Sequence, residues 1–108
     1  MQERLEKISA CLDKNKAESI EVFDLSGKDY FVDQVVIATS LNSRHTEALL
    51  NYLKKELKPA ETFLGTDISE EWVVVDLGDI LIHIMTPEYR VKYNMEEFLS
   101  EVASHKED

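Results

Sequence analysis

Two carboxylates, an imidazole and an indole stand close together in the run WVVVDLGDILIHIM at residues 72–85. Asp76 and Asp79 are the residue type that holds a divalent cation in nucleotidyl and phosphoryl transfer. Such sites commonly place acids two apart, on one face of one strand. Here the two acids are three apart, with Gly78 between them. No third acid joins them by pattern, and no glycine-rich phosphate loop precedes them. His83 has the chemistry of a general base or a ligand, or of a structural hydrogen-bonding residue. His45, His83 and His105 show neither HxH nor HxxxH spacing, so the histidines give no support to a metal cluster. Ser40, Ser43 and His45 lie near one another without a G-x-S-x-G elbow. Ser43-Arg44-His45 reads better as a helix start, with Arg44 available to an acidic neighbour. One enzymatic reading stays open: a small metal-dependent nucleotidyl- or phosphoryl-transfer enzyme using Asp76 and Asp79.

The segment that carries these groups has the pattern of a β-hairpin. With Gly78-Asp79 as a two-residue loop, Leu77 faces Ile80, Val75 faces Ile82 and Val73 faces Ile84. All six are apolar and share one side, the core side. The opposite side pairs Asp76 with Leu81, Val74 with His83 and Trp72 with Met85, and is mixed. Gly78 suits a turn position that needs positive φ. Trp72 either packs in the core or anchors a partner, since tryptophan and tyrosine are favoured in binding hot spots. With Met85 and Tyr89 or Tyr93 it could form an aromatic patch beside Asp76 and Asp79. Such a patch suits docking on a basic protein better than it suits catalysis.

The remaining chain supplies the scaffold. Leu5, Ile8, Cys11 and Leu12 at helical spacing predict an amphipathic helix over 3–14, ended near Asn15. Ile20, Val22 and Leu25, with Phe23 between, predict a strand stopped at Ser26-Gly27. Residues 30–39, YFVDQVVIAT, predict a strand buried on both faces. Asn42 or Ser43 then caps a helix whose stripe is Thr46, Leu49, Leu50, Leu53 and Leu57. Lys54, Lys55 and Lys58 suit its C-terminal dipole, and Pro59 stops it. Residues 61–66 suggest a short strand, and 67–71 a polar loop. After Pro87, EYRVKY predicts a short helical turn. Asn94 with Glu97 resembles a capping box, opening a last helix with Met95, Phe98, Leu99 and Val102 on one face. The tail SHKED is expected to fray. The order α-β-β-α-β-β-β-α predicts one α/β domain over residues 1–108, a mixed sheet of about five strands flanked by helices. The crossover from the second to the third strand permits a parallel pair.

Bulk properties narrow the function. The chain has 108 residues, 44% of them hydrophobic and 31% charged, a globular composition. Of the net charge of −10, residues 59–108 hold −9, so direct binding to DNA or RNA through that half is disfavoured and a basic protein is attracted. The same charge would also serve solubility. A single cysteine, Cys11, excludes an intrachain disulfide and any multi-cysteine zinc site. No apolar run is long enough for a membrane span, and MQERLEKISA is too charged for a signal peptide. A reducing, cytoplasmic setting follows as the expectation.

Three blocks of residues together resemble the Iojap-like ribosomal silencing factors, the RsfS family. They are DQVVIATSLNSRHTEAL at 33–49, WVVVDLGDILIHIM at 72–85 and YNMEEFL at 93–99. The chain departs from the family pattern where Ser40-Leu41 follows Thr39 in place of a glycine. It departs also in LGTDISEE ahead of Trp72, and in Phe98-Leu99 where the family has Leu-Trp. The resemblance implies a nucleotidyltransferase-like α/β fold without enzymatic activity and without a cofactor or metal. It implies binding to the large ribosomal subunit through protein uL14, which blocks joining of the small subunit when nutrients are scarce. Its docking surface would include Trp72, Leu77 and Tyr93, with Asp76, Gly78, Asp79 and His83 as further members. Leu77 belongs to the core side of the hairpin. Its place in a docking surface therefore requires that it overhang the sheet edge. A homodimer with Trp72 at its interface is a further expectation left open.

Overall fold

A computed structural model describes residues 1–104, and His105 with the rest of the tail lies outside the described residues. The elements are α1 (Gln2–Lys14), β1 (Glu18–Asp24), β2 (Gln34–Thr39), α2 (Ser43–Leu57), β3 (Gly65–Ile68), β4 (Trp72–Asp76), β5 (Ile80–Met85), α3 (Pro87–Tyr93) and α4 (Met95–Ser104). The strands form one mixed sheet in the order β1-β2-β5-β4-β3. The β2–β5 pair is parallel, and the β1–β2, β4–β5 and β3–β4 pairs are antiparallel. No helix among the described residues is long and apolar enough to cross a membrane.

The hairpin register is the one its apolar alternation predicts. Val73 pairs with Ile84, Val75 with Ile82, Val74 with His83 and Trp72 with Met85. Gly78 takes φ +96°, and the Leu77 N–H donates to the Ile80 carbonyl at 2.9 Å across the turn. A side chain at Gly78 would meet Leu64 Cδ1 at 3.2 Å, a second reason for glycine there. The six core-side residues bury against α1 and α2, whose own stripes are Leu5, Ile8, Cys11, Leu12 and Leu49, Leu50, Leu53, Leu57. Each such leucine contributes about 2 kcal/mol by leaving water. The opposite face carries a smaller cluster in which Val35, Ile37, Leu81 and Met85 meet Leu99 of α4. All six residues of β2 and all six of β5 are buried, as expected of central strands covered on both faces.

Several expectations are corrected. The parallel partner of β2 is β5; the third strand, β3, lies at the far edge beside β4. A hairpin intervenes in the crossover, and β5 wins the central place because its apolar residues can be buried on both sides. The third strand starts only at Gly65, near the end of the expected strand, and runs on to Ile68 in the expected polar loop, because β4 captures Gly65–Ile68 by main-chain pairing, which is blind to side-chain polarity. The second strand begins only at Gln34. The described residues close with two helices, since Asn94 adopts a left-handed conformation, φ 43°, that closes α3 before α4 begins. Asn94 is therefore the C-terminal cap of α3, and its Nδ2 donates to Glu97 Oε2 at 2.6 Å. Phe98 leaves the expected buried face, is 51% exposed and meets the Tyr30 ring at 6.1 Å.

A buried arginine joins the second layer to the sheet. Arg90 of α3 donates to Thr39 Oγ1 at 2.8 Å, to Glu96 Oε1 at 2.9 Å, to Glu21 Oε1 at 3.1 Å and to the Ser19 carbonyl. It thus ties α3 to β1, β2 and α4. Removing it would leave the buried Thr39 hydroxyl and the partly buried Glu96 carboxylate without this donor. Arg90→Ala is expected to lower the free energy of urea unfolding by about 3 kcal/mol. Lys55→Ala, on the exposed side of α2, should change it by less than about 0.5 kcal/mol.

Candidate functional site

The hairpin places Trp72 and His83 diagonally on the sheet face opposite α1 and α2. The Trp72 indole N–H donates to His83 Nδ1 at 3.1 Å, with the rings 5.9 Å apart. That contact fixes the tautomer: Nδ1 accepts, so the proton of the neutral ring sits on Nε2. His83 is 5% exposed, and burial pushes its pKa down to about 4. Its Nε2 has no hydrogen-bond partner among the described residues. The Tyr93 ring lies 4.9 Å from Trp72, and Tyr89 lies 5.6 Å from Tyr93. Trp72 is half-buried and Tyr93 is 46% exposed, so the two rings form an aromatic ledge with one side in the protein and one in solvent. Lys92 Nζ sits 5.4 Å over Tyr93 and 5.6 Å over Tyr89. Lys92 escaped the sequence analysis, although Tyr89, Lys92 and Tyr93 have the i, i+3, i+4 spacing that brings side chains together on a helix. Met85 is fully buried beneath the ledge and contributes packing only.

The two acids serve different masters. Asp76 Oδ1 accepts the Gly78 N–H at 2.8 Å and shapes the turn. Asp79 receives two bonds from the Arg4 guanidinium, at 2.7 and 2.9 Å, while Arg4 also grips Glu61 through two bonds of 2.8 Å. The Arg4 hydrogen bonds hold the Asp79 carboxyl below the usual carboxylate range. Nothing in the one-dimensional pattern marks Arg4, which is 75 residues from Asp79. Among the described residues, no three His, Cys, Asp or Glu side chains cluster to hold a metal ion.

Leu77 is only 7% exposed and packs in the α1–α2 core, so it does not overhang the sheet edge. The turn is too tight to lift it, because Leu77 still pairs through its N–H with Ile80. The other reactive types are also engaged. His45 Nδ1 accepts the Leu41 N–H at 2.9 Å and its Nε2 donates to the Asn15 carbonyl at 2.8 Å, a staple between α1 and α2. Ser40 Oγ is buried against Thr46 Oγ1. Burial raises the Cys11 thiol to about 11, in keeping with a core residue.

The site is thus a half-exposed aromatic ledge on a mixed sheet, with Asp76 and Asp79 engaged in holding the hairpin turn. A family model described as "Ribosomal silencing factor during starvation" matches residues 1–108. A ribosomal silencing factor of Haemophilus influenzae is 36% identical over 97 residues, 86% of this chain and 94% of that protein. The mouse protein named mitochondrial assembly of ribosomal large subunit protein 1 is 29% identical over 86% of this chain, though only 43% of its own length. A crystal structure of a protein from Chromobacterium violaceum superposes with a TM-score of 0.85 at 29% identity, covering 99% of this chain and 89% of that one. The chain belongs to the ribosomal silencing factor family.

The buried neutral ring of His83 makes stability depend on pH. Its pKa is about 4 in the fold against an ordinary 6.5, so the unfolded chain binds this proton more readily. The associated stability is complete above pH 6.5 and is lost as pH falls toward 4, by up to about 3 kcal/mol. In urea unfolding across that window, His83→Gln, which cannot titrate, is expected to lose less stability than the parent protein.

Proposed function

We propose that this protein represses translation by binding the large ribosomal subunit through uL14, on the face that meets the small subunit, and so blocking subunit joining under nutrient limitation. The observation that carries this reading is the Trp72–Tyr93 ledge: two large rings, 4.9 Å apart, held half in solvent by the His83 hydrogen bond and the Arg90 ties. Large aromatic side chains that lose little entropy on binding are the usual anchors of protein interfaces. The family and its relatives' names point to the ribosome as the setting, and hence to the cytoplasm.

Trp72 and Tyr93 would supply the contact, with Asp76 at its edge. Asp79 and Leu77 act from beneath, one by pinning the turn to α1 and the other by filling the core under it. His83 acts by orienting the indole. The −9 charge of residues 59–108 would speed approach to a basic ribosomal protein and oppose contact with bare RNA or DNA. No cofactor or chemical step is required. An occupied patch lowers the fraction of subunits able to pair by mass action, and an interface of about 800 Å² per partner suffices for stable binding. One such domain, residues 1–108, would act as the blocking unit.

Added to separated subunits in a sucrose gradient, the protein should hold the large subunit apart from the small one. Trp72→Ala should reduce co-sedimentation with large subunits by about tenfold or more while leaving the circular dichroism spectrum unchanged. Undiminished co-sedimentation of that variant would remove Trp72 from the docking surface.

A further inference from the structure

Strand β3 is an edge of the sheet, and all four of its residues are exposed. The Ser69 N–H donates to the Trp72 carbonyl at 3.1 Å. Alternation along the antiparallel ladder then turns the main chain of Gly65 and Asp67 toward β4 and leaves the N–H and carbonyl of Thr66 and Ile68 facing outward. Beside this edge, on the His83 face of the sheet, runs a groove of about 510 Å³ bounded by Tyr30, Phe31, Asp67, Val74, Asp76 and His83. Its charged lining is acidic only. Tyr30 and Phe31 form its far wall with rings 4.7 Å apart, and Phe31 is 73% exposed. His83 lies in the floor with the ring N–H that has no acceptor among the described residues.

We propose that β3 and this groove form a second binding site, which takes an extended basic segment of a partner protein as an added strand. The outward groups of Thr66 and Ile68 would bond its backbone, as sheet edges do in strand addition. Alternate side chains of such a segment would point over the groove. Lysine or arginine there meets Asp67 and Asp76 and stacks on the faces of Tyr30 and Phe31. An acidic segment would be repelled. A second copy of this chain is disfavoured for the same reason, because antiparallel pairing of two β3 edges brings Asp67 toward its counterpart. The site stands on the edge and the groove; it borders the Trp72–Tyr93 ledge through Asp76 and His83 but does not use the two rings.

The test is fluorescence anisotropy with the whole protein and a labelled peptide of alternating lysine and valine, against its glutamate–valine counterpart. The basic peptide should bind, weaken with added salt, and leave the acidic one unbound. Thr66→Pro removes an outward N–H without breaking the β4 ladder. That change and Asp67→Asn should each weaken binding by about tenfold. Asp67→Asn alters an exposed side chain and serves alone if the proline variant misfolds. Asp67→Asn should co-sediment with large subunits as the parent protein does, which separates this site from ribosome docking. Equal binding of both peptides, or unchanged binding by Asp67→Asn, would overturn the proposal. So would a dimer of the unliganded protein that Thr66→Pro dissociates, since the edge would then belong to a second copy.

Discussion

The register of β4 against β5, set by the Gly78-Asp79 turn, is the constraint on which the rest depends. Side chains along a strand alternate with a period of two, so a slip of one residue would exchange the two faces of the hairpin. Val73, Val75 and Leu77 would leave the core, and Trp72 would point into it. The turn is held from several directions. Gly78 supplies the left-handed backbone, Asp76 accepts its N–H, and Arg4 clamps Asp79 to the first helix. The Asp79 carbonyl also accepts the N–H groups of Asp33 and Gln34, which ties the turn to the start of β2. Local turn chemistry and long-range ion pairing therefore specify one and the same register.

That register makes the two faces of the sheet unequal. One is sealed by two long helices with continuous apolar stripes. The other is covered by a short helix, α3, and by α4, of which only Leu99 is fully buried. Incomplete cover leaves the Trp72 and Tyr93 rings at the margin, neither core nor free surface. Holding them there requires that α3 be fixed, and a seven-residue helix has little stability of its own. Arg90 supplies the fixation by reaching four acceptors on three other elements, β1, β2 and α4. A surface that must be rigid is thus anchored by a buried charge rather than by more apolar area.

The polar residues that look reactive in one dimension are consumed in this construction. Asp79 and Asp76 shape and tether a turn, His83 orients an indole, and His45 staples two helices. Their chemistry is used for geometry. The acidic excess of the second half of the chain remains as a field around the ledge.

Much of this was legible in the order of residues. Periodicity alone predicts α1, α2 and the hairpin with its pairing, because burial of one face imposes a repeat on the residues that form it. The glycine turn and the family likeness of the three blocks point to the same region and the same pair of rings. Other features were beyond reach. The place of β3, the Arg4–Asp79 clamp, the Arg90 hub and the Trp72–His83 bond arise between groups brought together by the packing of separate elements. A linear pattern records which face a residue prefers; only the folded chain decides what it meets there, since main-chain pairing and ion pairs across the sheet carry no sequence period.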